Sequence, residues 1–404
     1  MSKTTPPLAM PESTDESWSR PDDRFIPVRA CDLAHRLATD AGLFGLESDS
    51  VHEFAAALEE VIDRETGTFE RRLADAYARF NPDRDTQPIV ADEPATADEY
   101  ELLCTQLAYL LDKANYEELS DVEIAQAVLR AGSRNLSVRV DPTRVEFLRL
   151  WVRGRGETTK LERCRWKPWQ KQKINVPVFK RLMVVARLKD EPYVRLKLFK
   201  EIPEAEVEAL LPHAEVTMSL WDRIKLLSTG AGTLGVTLSK VLKIAIGFAA
   251  LWKLAWILLI GVATLGVRSA LGYRNARMNR DWQRTRHLYF QNMGNNASAL
   301  QLLVATVKQE EFKEVLLVYV LRHASDTRND SRPPNPREQV EQYLREQFDV
   351  EVDFDINDAE SKLTNLGLAT EVHPAGVLPI DEAIEVLRQS TSGQNRIIEW
   401  QPGL

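Results

Sequence analysis

The chain has 404 residues, of which 44% are hydrophobic and 28% are charged, and its formal net charge is −8. This composition excludes a transporter built mainly of membrane helices, and the negative charge argues against a nucleic-acid-binding protein. The three cysteines, Cys31, Cys104 and Cys164, form no CxxC pair, which argues against a disulfide framework or a zinc site.

The N-terminal part is predicted to be a disordered tail followed by a helical domain. Residues 1–24 are rich in Pro, Ser, Asp and Glu and lack the apolar core of a signal peptide. In residues 25–135, apolar side chains recur at three- and four-residue steps, as at Phe54, Leu58 and Ile62, which is typical of helices. A capping box formed by Ser120 and Glu123 predicts a further helix over residues 121–131.

Residues 136–222 are predicted to form a basic α+β domain with a small antiparallel sheet. Val and Leu alternate with Lys and Arg in residues 194–198, which indicates strands with one solvated face. Residues 149–200 contain sixteen Lys or Arg and four Asp or Glu, a local net charge of +12. Two interpretations remain open: an ordinary solvated face, or a surface for phosphate, with anionic lipid headgroups favoured by the apolar segment that follows.

The candidate headgroup-binding residues lie between two strands, where Pro168 and Pro177 predict a loop. They are Arg163, Arg165, Lys167, Lys171 and Lys173. Trp166 and Trp169 occur among them in the sequence. Tryptophan favours the headgroup level of a bilayer, which supports the lipid interpretation.

Residues 223–280 contain no acidic residue and are predicted to be a transmembrane hairpin. Three interpretations compete: two spans near 227–249 and 254–273, a single span over 244–267, and a hairpin in a soluble core. Basic residues flank both ends, so the positive-inside rule places both termini in the cytoplasm and favours two spans. The predicted interface anchors are Trp252, Lys253, Trp256, Arg268, Tyr273 and Arg274.

Cofactor and metal sites are not predicted. Residues 230–235 fit the pattern GxGxxG, but no predicted strand precedes them, and no acid that could bind a ribose occurs before Asp281. The six histidines are scattered, and none is paired with another His or a Cys at metal-ligand spacing. We therefore expect no cofactor.

The C-terminal part is predicted to consist of cytoplasmic helices over residues 281–330 and a winged-helix-like module over residues 331–404. In the module, Asn357 and Glu360 predict a capped helix that ends at Gly367. This helix carries two acidic residues, Asp358 and Glu360, and only one basic residue, Lys362. A protein partner is therefore favoured over DNA.

Several short stretches resemble a known family. They include Arg-Phe-Ile-Pro at 24–27, Lys-Ala-Asn-Tyr at 113–116, Val-Phe-Lys-Arg-Leu at 178–182 and Leu-Lys-Leu-Phe-Lys-Glu-Ile-Pro at 196–203, with shorter ones at 210–212, 222–223 and 288–292. Over roughly residues 24–325 the chain resembles the domain-of-unknown-function family 3754, which includes transmembrane protein 143-like membrane proteins. The resemblance implies a membrane protein without an established activity, and the acidic N-terminus favours a bacterial inner membrane over a mitochondrial one.

The sequence thus predicts an α+β membrane protein with an N-terminal helical region, a small basic antiparallel sheet, a two-helix membrane hairpin and a C-terminal helical region. The leading functional hypothesis is a non-enzymatic scaffold anchored in the lipid bilayer. Its basic sheet would contact anionic lipid, its C-terminal module would bind a protein, and no nucleic acid is expected. The alternative is a membrane-bound enzyme with a site at the domain junction.

Overall fold

The structure is a computed structural model. It describes residues 20–84, 96–120, 122–123, 137–139, 145–163, 171–189, 191–204, 207, 215–217, 290–327, 335–370, 373 and 375–391. The chain divides into two compact units, the first formed by residues 1–120, 143–204 and 293–404, and the second by residues 121–142 and 205–292. In the second unit, the described strands β2 (Ser137–Arg139) and β6 (Glu215–Thr217) pair antiparallel.

The first unit contains long helices where the apolar spacing predicts them. The described helices are α1 (Ala30–Thr39), a 3-10 turn (Ala41–Phe44), α2 (Ser48–Ala78), α3 (Ala97–Lys113), α4 (Ala297–Thr327), α5 (Pro336–Phe348), α6 (Ile356–Asn365) and α7 (Ile380–Thr391). Helix α3 begins with a capping box between Thr96 and Glu99. The cap of α6 is Asp355, whose side chain accepts a hydrogen bond from the Asn357 amide, so the predicted cap at Asn357 is wrong by two residues.

Helix α4 is the centre of the first unit. Every residue from 311 to 320 is buried, because α1, α2, α3, α5, α6 and one strand of the sheet surround this helix. The apolar side chains form two clusters. One joins the C-terminal half of α4 to α1, the first half of α2 and α5–α7, and the other joins its N-terminal half to α3 and the sheet.

The main sheet has five strands in the order β1-β3-β4-β5-β7. They are β1 (Glu117–Glu118), β3 (Val145–Arg163), β4 (Lys171–Leu188), β5 (Val194–Pro203) and β7 (Asn292–Asn295). The pairs β1–β3, β3–β4 and β4–β5 are antiparallel, which confirms the predicted antiparallel sheet. Alternate residues of β5, Val194, Leu196 and Leu198, are buried against the helices, as expected for a strand with one wet face.

Strands β3 and β4 are longer than their neighbours. Their pairing continues past Val178, where β5 ends, through seven more pairs from Glu157↔Pro177 to Arg163↔Lys171. We call residues 157–163 and 171–177 the β-ribbon. The predicted loop between Pro168 and Pro177 is wrong for residues 171–177, which belong to β4. Pro177 is tolerated within this strand because the pairing with β5 ends at Val178, so β4 is an edge strand at residue 177.

The predicted membrane protein is corrected by the structure. In the parts of the chain that the structure describes, no helix is both long and apolar enough to cross a membrane. Helices α2 and α4 each have 31 residues, but charged side chains interrupt both, and their apolar faces are buried by protein. The finding overturns the membrane and transmembrane assignments and the localisation in a bacterial inner membrane, whereas the α/β architecture is retained. The hairpin predicted over residues 223–280 lies outside the described residues.

Candidate functional site

The five candidate headgroup-binding residues fall at the outer end of the β-ribbon or beyond it. Arg163 and Lys171 form its last residue pair, and Lys173, which pairs with Leu161, is exposed. Arg165 and Lys167 lie outside the described residues, as do the predicted interface anchors Trp252, Lys253, Trp256, Arg268, Tyr273 and Arg274. The pairing of β3 with β4 thus brings Arg163, Lys171 and Lys173 together at the outer end of the β-ribbon.

Basic residues nearer the helices have a different role, because acidic side chains of the first unit pair with them. Such ion pairs join Arg149 to Glu118 at 3.4 Å, Arg153 to Glu310 at 2.5 Å, Lys180 to Asp23 at 3.7 Å, Arg187 to Glu146 at 3.4 Å and Arg195 to Glu191 at 2.6 Å. Five of the sixteen basic residues in residues 149–200 therefore form ion pairs within the first unit. The ribbon extends past β1 and β5, which separates its outer residues from these internal pairs.

An N-terminal segment crosses the sheet at the base of the ribbon. The ring of Phe25 lies between Arg153, at 4.7 Å from the ring centroid, and Lys180, at 5.6 Å. The backbone N–H of Ile26 donates to Glu310 at 3.1 Å, and its carbonyl accepts from Lys313 at 2.5 Å. This part of the resembling motif at residues 24–27 therefore links the sheet to α4.

A layer of charged side chains lies between the two apolar clusters of the first unit. Helix α4 contributes Glu310, Glu311, Lys313 and Glu314, all of which are at most 6% exposed. Together with residues from surrounding elements they form what we call the charge layer, whose other members are Glu65, Lys113, Arg153, Asp358 and Lys362. A buried charge is tolerated when it is paired, so the contacts within this layer decide whether the two clusters can pack together.

Most members of the charge layer have a partner of opposite sign. Lys313 Nζ lies 2.7 Å from Glu310, and Lys362 Nζ lies 2.7 Å from both Glu65 and Glu311. Burial alone would lower the pKa of Lys362, but the two carboxylates raise it above its ordinary value. Lys362 is therefore charged in the fold and holds α6 against α2 and α4.

The charged residues of α6, the helix considered above for contact with a partner, form ion pairs with other helices of the first unit. Asp358 pairs with Lys113 of α3, and Glu360 pairs with Arg322 of α4. Lys362 is only 7% exposed. These three residues of α6 thus form contacts within the chain. A protein partner of residues 331–404 stays a prediction, and it would have to bind through other residues.

A polar cleft of about 520 Å³ lies beside the N-terminal segment. Its lining includes Arg20, Arg24, Asn115, Glu117, Arg155 and Asp353. Asn115 has a left-handed backbone conformation, with φ of 59°, at the end of α3, and its side-chain amide donates a 2.8 Å hydrogen bond to Glu314. The cleft therefore adjoins the charge layer through the Asn115 side chain.

Two histidine pairs that the sequence spacing did not reveal are formed by the fold. The ring centroids of His35 and His52 are 6.1 Å apart, and those of His323 and His373 are 6.2 Å apart. Within the described ranges, no group of three His, Cys, Asp or Glu side chains is arranged to hold a metal ion.

The charge layer was missed by the sequence analysis, although one signal for it exists. Seven apolar residues at 315–321 leave no polar face on this stretch of α4, which indicates a helix buried on all sides. The acids immediately before them must then be buried as well.

The fold thus defines a mixed α/β chain with a five-stranded sheet, an extended β-ribbon and a central buried helix. Residues 163–298, about a third of the chain, match the model of a family described as "Protein of unknown function (DUF3754)". The match supports the assignment of this segment to a domain-of-unknown-function family, and it does not extend to a likeness with transmembrane protein 143. Comparisons with curated proteins and with solved structures gave no match.

Proposed function

We propose that the chain is a non-enzymatic scaffold protein whose β-ribbon binds anionic lipid headgroups. The observation that carries the proposal is the position of Arg163, Lys171 and Lys173 at the outer end of a ribbon that continues for seven residue pairs beyond β5. At roughly 3.3 Å per residue, this places them roughly 20 Å from the end of β5. The proposed contact is with headgroups alone and requires no membrane-spanning helix.

Charge segregation supports a functional role for the ribbon. Residues 157–177 contain six Lys or Arg and two Asp or Glu, whereas the whole chain has a net charge of −8. Solubility does not require one sign of charge to be concentrated in a single segment. A basic residue near an anionic membrane surface contributes about 1 kcal/mol, so a small set of them is enough for measurable, salt-sensitive binding.

The residues around the ribbon favour lipid over nucleic acid. The sequence has Trp166 and Trp169 among the basic residues, and Trp favours the headgroup level of a bilayer.

The test is flotation of the full-length chain with vesicles of phosphatidylcholine alone or mixed with phosphatidylglycerol. We expect binding only to the anionic vesicles at low salt, and release at high salt because exposed charges are then screened. Replacing Arg163, Lys171 and Lys173 by Glu should abolish binding. The matched control replaces three exposed arginines of α2, Arg64, Arg71 and Arg72, by Glu, which changes the net charge equally and should leave most binding intact.

Three results would overturn the proposal. They are failure of the unmodified chain to bind anionic vesicles at low salt, equal loss of binding in both triple variants, and binding of duplex DNA in preference to vesicles under the same conditions. Circular dichroism of each variant confirms that the fold persists.

A further inference from the structure

Glu314 differs from the other acids of the charge layer. It is 6% exposed, and its carboxyl accepts a hydrogen bond from the Asn115 side chain. Among the described residues, no Lys or Arg forms an ion pair with it, whereas Glu310 and Glu311 of the same helix each contact two cations. Glu314 is therefore the one buried carboxyl of this layer that is held by a neutral group.

The balance of charge around Glu314 leaves no cation for it. The layer contains five carboxyl groups, on Glu65, Glu310, Glu311, Glu314 and Asp358, and four cations, on Lys113, Arg153, Lys313 and Lys362. All four cations already contact other carboxylates at 3.7 Å or less. A neutral Glu314 makes the layer electrically neutral, whereas an ionised one leaves an uncompensated buried charge.

Burial and the nearby charges also favour the protonated form of Glu314. Burial raises its pKa well above the ordinary value of 4.5, and the nearby carboxylates of Glu310, Asp358 and Glu311 raise it further. The hydrogen bond from Asn115 opposes this effect without reversing it.

We infer that Glu314 holds a proton in the folded chain and ionises only when the turn at Asn115 opens and admits water from the adjoining cleft. Asn115 lies between Glu314 and the cleft, because it lines the cleft and its side chain also binds the Glu314 carboxyl. Its left-handed backbone, which Asn adopts readily directly after a helix, places it at the turn that ends α3. Movement of this turn also displaces Glu117, so the shape of the cleft follows the protonation of Glu314.

The sign of the pH effect follows from proton binding. The folded chain keeps a proton that the unfolded chain releases, so stability falls as pH rises from about 4.5 toward the raised pKa of Glu314. A difference of one proton changes the folding equilibrium by about tenfold per pH unit.

The experiment compares the full-length chain with Glu314→Gln and with Glu385→Gln, an exposed position on α7. The amide resembles the protonated carboxyl, so Glu314→Gln should fold and should lack this part of the pH dependence of stability, and Glu385→Gln should retain it. Hydrogen exchange at residues 112–118, corrected for its intrinsic pH dependence, should increase with pH in the unmodified chain and not in Glu314→Gln.

Equal pH dependence in Glu314→Gln and the unmodified chain would overturn the proton-binding site. Unchanged corrected exchange at residues 112–118 would overturn the opening of the turn. If Glu314→Gln fails to fold, calorimetric unfolding of the unmodified chain at a series of pH values above 4.5, in buffers of different ionisation enthalpy, decides the matter. About one proton released from a carboxyl supports the inference, and none contradicts it.

Discussion

The ring of Phe25 occupies the space that a side chain at Gly154 would need. A Cβ atom added at Gly154 would lie 2.6 Å from Phe25 Cε1 and 3.1 Å from Lys180 Cδ. Gly154 also has a φ of 73°, in the left-handed region that glycine adopts without a steric penalty. The N-terminal segment can therefore lie across the sheet only because residue 154 has no side chain.

We expect Gly154→Ala to destabilise the chain by about 2 kcal/mol or more, since it combines an unfavourable backbone with a clash against an aromatic ring. The control is Gly67→Ala in the interior of α2, where a Cβ would meet nothing within 4 Å. That change should stabilise the helix by about 0.5–1 kcal/mol. Urea unfolding of both variants makes the comparison, and a Gly154→Ala variant as stable as the unmodified chain would contradict the proposed packing.

Lys362 provides a test of the buried charge layer. Lys362→Met leaves Glu311, which is 2% exposed, with Lys113 at 3.7 Å as its one remaining described ion-pair partner. We expect a loss of about 3–5 kcal/mol in the free energy of unfolding, because a buried carboxylate loses its closest cation. The control Arg345→Met removes an exposed pair with Glu351 and should cost at most about 1 kcal/mol. Similar losses in the two variants, measured by urea unfolding, would show that the layer is not buried as described.

Glu310 should affect the stability of the fold at acid pH. Burial would raise the pKa of its carboxyl, but Lys313, Arg153 and the Ile26 N–H together lower it below the ordinary value of 4.5. Its contribution to stability is therefore present above that value and is lost as pH falls toward the lowered pKa. Glu310→Gln should be less stable near neutral pH and should show a shallower decline of the melting temperature below about pH 4.5. A decline as steep as that of the unmodified chain would remove Glu310 from the acid response.

Local patterns predicted the local elements of this fold. The helical spacing at Phe54, Leu58 and Ile62 falls within α2, and the alternation in residues 194–198 falls within β5, because backbone geometry sets both periods. The concentration of Lys and Arg in residues 149–200 was also visible in the sequence, although not its division between internal ion pairs and the ribbon. Pro177 predicted the end of a strand, whereas in the structure it lies within β4 on the side that β5 leaves unpaired. The sequence alone does not distinguish a proline that ends a strand from one in an edge strand.

The sequence by itself determined the helices, the antiparallel sheet and the basic segment, each of which follows from residues close together in the chain. The tertiary structure alone decided which charges are buried and which acid is left without a cation. Arg153 is separated from Glu310 by 157 residues, and Asn115 from Glu314 by 199. The pKa of a buried carboxyl depends on the desolvation and the charges within a few ångströms of it, and only the folding of distant segments around α4 brings those charges together.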